Sequence, residues 1–314
     1  MPTDVTFQSA NHRCHAWHFT GTGDEFLVDD RRPCVVMGHG FSATKDSGLA
    51  EYAERLAAAG LDVLAFDYRH FGANSVDGVP AEVNPRSHEA DFRAAVHHAR
   101  SLPGVDPERI VIWGVSLSSG HVMNVAAQDS SVAAVIAMTP AVDGVAAIRV
   151  AIRRSPIAAA RMAWAALRDT AAALSGRPRV TVAVVGEPGA TAVMSAPGAA
   201  TGYTQMAGPS AVNGVPARSV LRAALYRPLR RAHKISCPVL VQIADNDMSA
   251  PPQSARTAAF RCRADVRHYP CDHFDVYPGS DWFEPAVAHQ LHFLRRHFAP
   301  ASKFAPVDPL VLTS

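Results

Sequence analysis

Five short runs of nearly unbroken apolar residues, separated by helical patterns, limit the folds open to this chain more than any other feature. They are residues 34–38 (CVVMG), 62–66 (DVLAF), 109–115 (RIVIWGV), 132–138 (VAAVIAM) and 238–244 (PVLVQIA). A strand with one wet face alternates apolar and polar residues, whereas a strand covered on both faces does not. Continuous apolarity therefore predicts a mostly parallel sheet with helices on either side. Residues 46–59 (DSGLAEYAERLAAA) read as one such helix, stopped by Gly60. Residues 86–101 read as another, with Glu89 and Asp91 expected in its first turn beside the positive end of the helix dipole. Two segments of alternating polarity near 4–8 and 13–20 predict an antiparallel edge hairpin. The fold class is α/β.

The alternation stops near residue 141 and resumes near 235. An Ala/Arg helical stretch, a Gly/Pro/Ala/Ser-rich loop over 186–216 and a basic helical run, SVLRAALYRPLRRAH, fill the gap. An insertion that leaves a sheet and returns to it reads as a lid. The expected organisation is a core domain of residues 1–140 and 236–300, a helical cap of 141–235 and an extended tail of 301–314.

Charge follows the same division. The chain has 30 Lys+Arg against 28 Asp+Glu, a net +2 that offers no general case for nucleic acid. Residues 145–235 hold 13 Lys+Arg and 2 Asp+Glu, so a cap of +11 sits on a remainder of −9, which predicts attraction between them and steering of anionic substrates. With 48% hydrophobic and 18% charged residues the composition is that of a globular protein. No apolar run reaches the roughly 20 residues of a membrane-spanning helix. The start, MPTDVTFQSANHRC, lacks a signal-peptide pattern, so the expected location is cytoplasmic. Five scattered cysteines (Cys14, Cys34, Cys237, Cys262, Cys271) without a CxxC read as reduced core thiols.

The chemistry-bearing residues lie at the ends of the apolar runs. R-I-V-I-W-G-V-S-L-S-S-G sets Ser116 between an apolar strand and a helical run, flanked by Gly114 and Ser118. Small residues are needed where a strained strand-to-helix turn pushes a serine Oγ outward. Serine between small residues also occurs in ordinary turns, but the strand-turn-helix context favours Ser116 as nucleophile, with Ser118 and Ser119 packing or capping. A nucleophilic serine needs a base, and the base an orienting acid. Asp247 follows the last apolar run in A-D-N-D-M-S-A-P-P, with Asp245 and Asp143 as alternatives, and the plain reading is that these acids cap the helix starting at 251. His273, in C-D-H-F-D, occupies a strand-to-loop transition 26 residues later and is the expected base. His97 and His98 fall on a helix face, His268 within a strand and His121 in the helix after Ser116, where packing roles are expected. His12, His15 and His18 lack neighbouring carboxylates or cysteines, and no metal site is assigned. G-H-G-F (38–41) follows the first apolar run and predicts an oxyanion hole of the Phe41 and Leu117 backbone N–H groups, with His39 ordering the loop.

These motifs, with D-Y-R-H-F-G-A-N-S after the second run and C-D-H-F-D-V-Y near the end, resemble the α/β-hydrolase superfamily over about residues 30–300. Within it the chain is similar to dienelactone-hydrolase-like esterases and to bacterial serine hydrolases related to fungal polyketide transferases. The resemblance implies the α/β-hydrolase fold with a helical cap, Ser116, Asp247 and His273 as triad, and Phe41 and Leu117 as the hole. Ser118 replaces the usual glycine, and Ala244 stands where a glycine often precedes the acid. Halide- and epoxide-cleaving members carry Asp at the elbow, which argues against their chemistry here.

The cap is expected to set substrate choice. Arg154, Arg161 and Arg168, spaced by seven, share one face if they lie on one helix, with Arg149 and Arg153 nearby. Ile152, Ile157, Met162, Trp164 and Leu167 are candidates to line the pocket, with Met162 and Trp164 assigned to substrate. The arginines read plainly as a solvated face, and more sharply as an attractor for an anionic or carrier-bound acyl substrate. The expected activity is a serine hydrolase cleaving an ester or thioester of a small to medium, largely apolar acyl group, without metal or organic cofactor. The alternatives are an acyltransferase or lactone- or polyketide-processing enzyme with the same triad, and a catalytically silent binding module. Oligomeric state stays open, a homodimer included.

Overall fold

The computed structural model describes residues 1–300, and the expected tail at 301–314 lies outside the described residues. Each apolar run forms a strand. The chain begins with the hairpin β1 (Thr3–Ser9) and β2 (His12–Phe19), then β3 (Arg32–Gly38), α1 (Leu49–Ala58), β4 (Asp62–Phe66), α2 (Pro85–Ala99), β5 (Val105–Val115), α3 (Leu117–Ala126) and β6 (Ala134–Met138). An insertion follows: α4 (Gly144–Arg154), α5 (Pro156–Leu174), β7 (Thr181–Val185), β8 (Ala192–Met194), α6 (Ala199–Met206), β9 (Val215–Pro216) and α7 (Arg218–Leu225). The alternation then resumes with β10 (Val239–Ala244), α8 (Pro252–Cys262), β11 (Asp265–Tyr269) and α9 (Phe283–Phe298).

Eight strands form one sheet in the order β1-β2-β4-β3-β5-β6-β10-β11. The hairpin joins antiparallel, and β4 through β11 run parallel. Parallel strands need helical crossovers that cover both faces, which is why every residue of β4, β6 and β10 is buried. A polar chain crosses this core without leaving a group unpaired: Trp113 Nε1 donates to Gln290 Oε1 at 3.0 Å, and Gln290 Nε2 donates to Gln242 Oε1 at 2.7 Å. It ties α9 to β5 and β10.

Several expectations change. Helix α2 begins at Pro85, capped by Asn84, so Glu89 and Asp91 fall past the first turn and are buried. Instead of facing the helix dipole, Asp91 holds Arg69 and Glu89 accepts from Asn124 Nδ2. The Ala/Arg stretch breaks at Ser155, whose side chain accepts from Ala158 N–H and caps α5 while Pro156 takes its first position. Arg154 therefore ends one helix while Arg161 and Arg168 share a side of the next, so the spacing of seven aligns only the latter two. The expected loop at 186–216 contains β8, α6 and β9, and β8-β7-β9 form a second, small sheet.

The charge division takes a specific form. Glu82, in the loop before α2, bonds Arg218 (2.6 Å) and Arg222 and lies 3.7 Å from Arg179, while Asp143 pairs with Arg227 at 2.8 Å. Asp169, fully buried, accepts from the Val180 and Arg218 N–H groups and fastens α5 to α7 and to the approach to β7.

Candidate active site

The turn after β5 is strained. Ser116 has φ 55° and ψ −118°, a conformation few residues other than glycine adopt. It is held because Ser116 N–H donates to Met138 O at 2.9 Å and its carbonyl accepts from Ser119 and Ala141 N–H. The helix folds back so tightly that a Cβ added at Gly114 would stand 2.4 Å from Ser118 O. Ser119 Oγ lies 2.8 Å from both Gly114 O in this turn and Met138 O at the end of β6, and its proton is shared between them. Ser118, which replaces the glycine usual in the family's elbow, is fully buried and shares a 2.8 Å hydrogen bond with Tyr68 OH. Neither hydroxyl faces the space in front of Ser116.

Two other strand ends bring partners to Ser116. The loop after β10 carries Asp247 and the loop after β11 carries His273. His273 Nε2 lies 3.0 Å from Ser116 Oγ, and its Nδ1 lies 2.6 Å from Asp247 Oδ2. The carboxylate accepts the Nδ1 proton, which leaves the Nε2 lone pair to accept from the serine hydroxyl. Asp247 Oδ1 is fixed by the Ser249 and Ala250 N–H groups at 2.8 and 2.6 Å. Burial is the strongest single effect on His273 and opposes its charging, but the charge and hydrogen bond of Asp247 and the charge of Asp272 outweigh it and raise its pKa above 6.5. Asp272 was not legible as a site residue. Its Oδ1 accepts from both Met248 N–H (2.8 Å) and His273 N–H (2.7 Å), so one carboxylate joins the Asp247 loop to the His273 loop.

The alternative acids are committed elsewhere. Asp245 meets Arg256 and His268 at 2.5 and 2.8 Å. Asp143 caps α4 and pairs with Arg227. Among the histidines, His121 donates from Nδ1 to Tyr226 OH, whose own proton goes to Glu89 Oε1. Burial holds His121 neutral, its pKa pushed down to about 3. His12, His15 and His18 alternate across strand β2, and His18 bonds Asp62.

The loop after β3 faces the serine. A Cβ at Gly40 would lie 3.3 Å from Ser116 Cβ, a tight contact, so backbone approaches Ser116 closely here. Leu117 N–H is the first of α3, without an intrahelical partner, and no backbone bond of Phe41 N–H occurs among the described residues. Both residues line the same cavity as Ser116. His39 orders the loop: its Nε2 accepts from Tyr68 N–H and its Nδ1 donates to Gly40 O at 3.1 Å. Behind it the fully buried Asp67 accepts from Lys45 N–H and Nζ at 2.7 and 2.6 Å and from Ala73 N–H. That clamp is the structural content of the D-Y-R-H-F-G-A-N motif, since Gly72 is the only residue type that fits against Asp67 and Asn74 Nδ2 donates to Asp67 O.

A cavity of about 560 Å³ opens at Ser116 and runs under the insertion. Its wall is mostly small and apolar, including Ala147, Ala151, Ile152, Met162 and Ala166, with Tyr226 and Arg154 among its few polar groups. Met162 is among the lining residues. Trp164 is not: it is 64% exposed and lies outside the lining, as do Ile157 and Leu167, because α5 turns its alanines and Met162 inward and these residues outward.

A parallel sheet with a strained serine elbow, an acid and a histidine on its later strand ends and a backbone-lined loop opposite defines the α/β hydrolases, and the chain belongs to that family. The family model for the alpha/beta hydrolase fold matches residues 33–280. The quorum-quenching protein AidA of Acinetobacter baumannii is 36% identical over 299 residues, covering 94% of this chain and 95% of that one. The thiohydrolase aneE of Aspergillus aculeatus is 36% identical over 122 residues, 38% of each chain. The alpha/beta hydrolase GrgF from Penicillium sp. sh18 superposes with a TM-score of 0.77 over 95% of this chain and 99% of that one at 22% identity, a likeness of fold. Among the described residues no helix is long and apolar enough to cross a membrane.

Proposed function

We propose that the protein is a serine hydrolase that cleaves an ester or thioester of a small to medium, largely apolar acyl group through an acyl-enzyme. One observation carries the reading: the Ser116–His273–Asp247 hydrogen-bonded series, at 3.0 and 2.6 Å, opens into an apolar cavity of about 560 Å³. Ser116 Oγ attacks the acyl carbon while His273 Nε2 takes its proton. The carbonyl electron pair moves onto oxygen, where the Phe41 and Leu117 N–H groups stabilise it. The tetrahedral intermediate collapses, the alkoxide or thiolate leaves with the proton from His273, and water repeats the sequence in reverse roles to free the acid. Asp247 holds the imidazole in the tautomer with Nδ1 protonated and stabilises the imidazolium.

Residues 141–235 act as a cap over a body of 1–140 and 236–300, with Met162 touching the acyl group. The thiohydrolase relative favours a thioester, and a lactone, being a cyclic ester, falls under the same chemistry. Labelling by a fluorophosphonate tests the reading: Ser116→Ala loses the label and Ser118→Ala keeps it. The opposite pattern overturns the assignment. A panel of p-nitrophenyl esters and acyl thioesters of graded length then identifies the substrate class, and an added alcohol or thiol acceptor separates hydrolysis from acyl transfer.

A further inference from the structure

The outer face of α5 is apolar and cationic, with nothing among the described residues to cover it. Ile157, Trp164 and Leu167 are 66%, 64% and 58% exposed, and Leu174 is 87% exposed. Ile157, Arg161, Trp164 and Arg168 recur at spacings of four, three and four, which places them on one side of the helix. The opposite side buries Ala158, Met162, Ala166, Asp169 and Ala172. Neighbouring α4 buries none of its residues and presents Arg149 and Arg153 outward, with half-exposed Ile152 at the rim of the cavity. Asp169 is the one acidic residue between 144 and 174 and is fully buried. Among the described residues, none of Arg149, Arg153, Arg161 and Arg168 forms an ion pair, whereas Arg218, Arg222 and Arg227 of the same insertion all do.

We infer that this face docks on the surface of an anionic phospholipid bilayer. Exposed Ile, Trp and Leu between arginines, with no carboxylate, is the make-up of a helix that lies in the headgroup plane. Its apolar side chains enter the acyl boundary, Trp sits at headgroup depth and arginines reach lipid phosphates. A second copy of the chain fits poorly, because a twofold contact sets this face against itself and so sets arginine against arginine. A folded protein partner fits less well too, since a specific protein interface carries a hydrogen bond for every 100–200 Å² or so, and the outer side of α5 offers almost no polar group besides guanidinium. The catalytic cavity opens at the same place: Pro156, Ala160 and Ala163 are exposed, line the cavity and interleave with Ile157, Arg161 and Trp164 along α5. An apolar substrate dissolved in the bilayer would meet the cavity mouth directly.

The test uses the full chain with vesicles of pure phosphatidylcholine and of equal parts phosphatidylcholine and phosphatidylglycerol. Co-sedimentation is expected with the mixed vesicles alone, weakening with salt. Trp113 is buried and Trp17 and Trp282 pack against the core, so Trp164 reports on the face. Its emission is expected to shift to the blue on the mixed vesicles, and Trp164→Phe is expected to bind but lose the shift. Arg161→Ala with Arg168→Ala is expected to lower the partition coefficient about 30-fold at low salt. Ser116→Ala is expected to bind like the unaltered protein, so a failure of the catalytic reading leaves this result intact. No binding to mixed vesicles, or binding without a Trp164 shift, overturns the inference. So does self-association abolished by the double arginine variant, or a Trp164 shift produced by a purified acidic carrier protein and not by vesicles.

Discussion

The body and the insertion of this protein are built on opposite principles. In the body, β4, β6 and β10 are buried at every position and large side chains such as Trp113, Tyr52 and Phe66 are fully enclosed. In the insertion, α4 buries nothing and α5 buries mainly alanines, one methionine and one aspartate. Interdigitated large residues leave no space and fix atoms to within tenths of an ångström. Alanines facing a void leave a cavity whose shape is set by a few side chains. On the proposed reading the body supplies rigid positions for chemistry, and the insertion supplies the room in which a substrate fits. Where the two meet, Glu82 pairs with Arg218 and Arg222, and Tyr203 of the insertion packs edge-on against Phe274 of the body in one continuous core.

If this division is right, the largest effect comes from the body. Ser116→Ala is expected to lower kcat/KM on the best ester by about 10,000-fold or more, with the melting temperature unchanged, and residual activity near that of the unaltered enzyme would break the comparison. Next come two glycines that meet the same kind of obstacle in different regions. A Cβ at Gly114 would stand 2.4 Å from Ser118 O, and one at Gly144 would stand 2.1 Å from Ala223 O. Each alanine variant is expected to lose about 1–3 kcal/mol of stability by denaturant titration. Gly114→Ala moves the elbow and should also abolish fluorophosphonate labelling. Gly144→Ala disturbs only the neck between α4 and α7, so it should keep the label and raise KM.

The same contrast explains what the sequence disclosed. Strands buried on both faces announce themselves by uninterrupted apolarity, and Ser116, Asp247 and His273 stand just beyond strand ends, so their approximate places could be read. The insertion could not be read as well. Its strands are short, β9 being two residues, and Ala-rich α5 has no sharp periodicity because its buried side is mostly alanine with one aspartate, while its large apolar residues point outward. A signal was nevertheless present at Ser155-Pro156, an N-cap followed by a first-turn proline, and it would have separated Arg154 from Arg161. Trp164 was misplaced because an aromatic residue in an apolar helix is normally an inward residue. Asp272 and Asp169 act through backbone N–H groups brought together by folding, and no spacing in the chain betrays that.

A smaller effect should come from the cavity wall. Ala166 is fully buried yet lines the cavity, so Ala166→Phe fills space without removing a contact. It is expected to lower kcat/KM for long acyl chains about 10- to 100-fold relative to short ones. Equal losses on all chain lengths would mean that the acyl group lies elsewhere. The pH profile reports the body instead. Because the folded pKa of His273 is raised above 6.5, the acid limb of kcat/KM should turn over above that value, since the base works only when neutral. Asp247→Asn removes the leading raising effects and leaves burial, so the limb should move to lower pH as the rate falls about 10,000-fold. The linked contribution to stability has the opposite sense: a raised histidine pKa stabilises the fold at low pH, and that contribution is lost as pH rises through the folded value. Urea titrations across the same range check it.

The smallest expected effect lies at the seam. Arg154 lines the cavity mouth and its Nη2 donates to Met248 O at 3.0 Å, beside Asp247. It is exposed, so its charge acts through high dielectric and the energy at stake is at most about 1 kcal/mol. Arg154→Ala should therefore raise KM a few-fold for a substrate with an anionic leaving group and leave KM for a neutral ester unaltered, with the difference fading at high salt. The hydrogen bond to Met248 makes a competing prediction. If Arg154 instead holds the insertion against the acid loop, both substrates should lose kcat together and salt should not matter. Charge reversal separates the two, because Arg154→Glu doubles an electrostatic effect on KM but breaks a hydrogen bond no further than alanine does. The seam then reads either as a gate selecting charge or as a fastening that keeps the insertion in register with the acid loop.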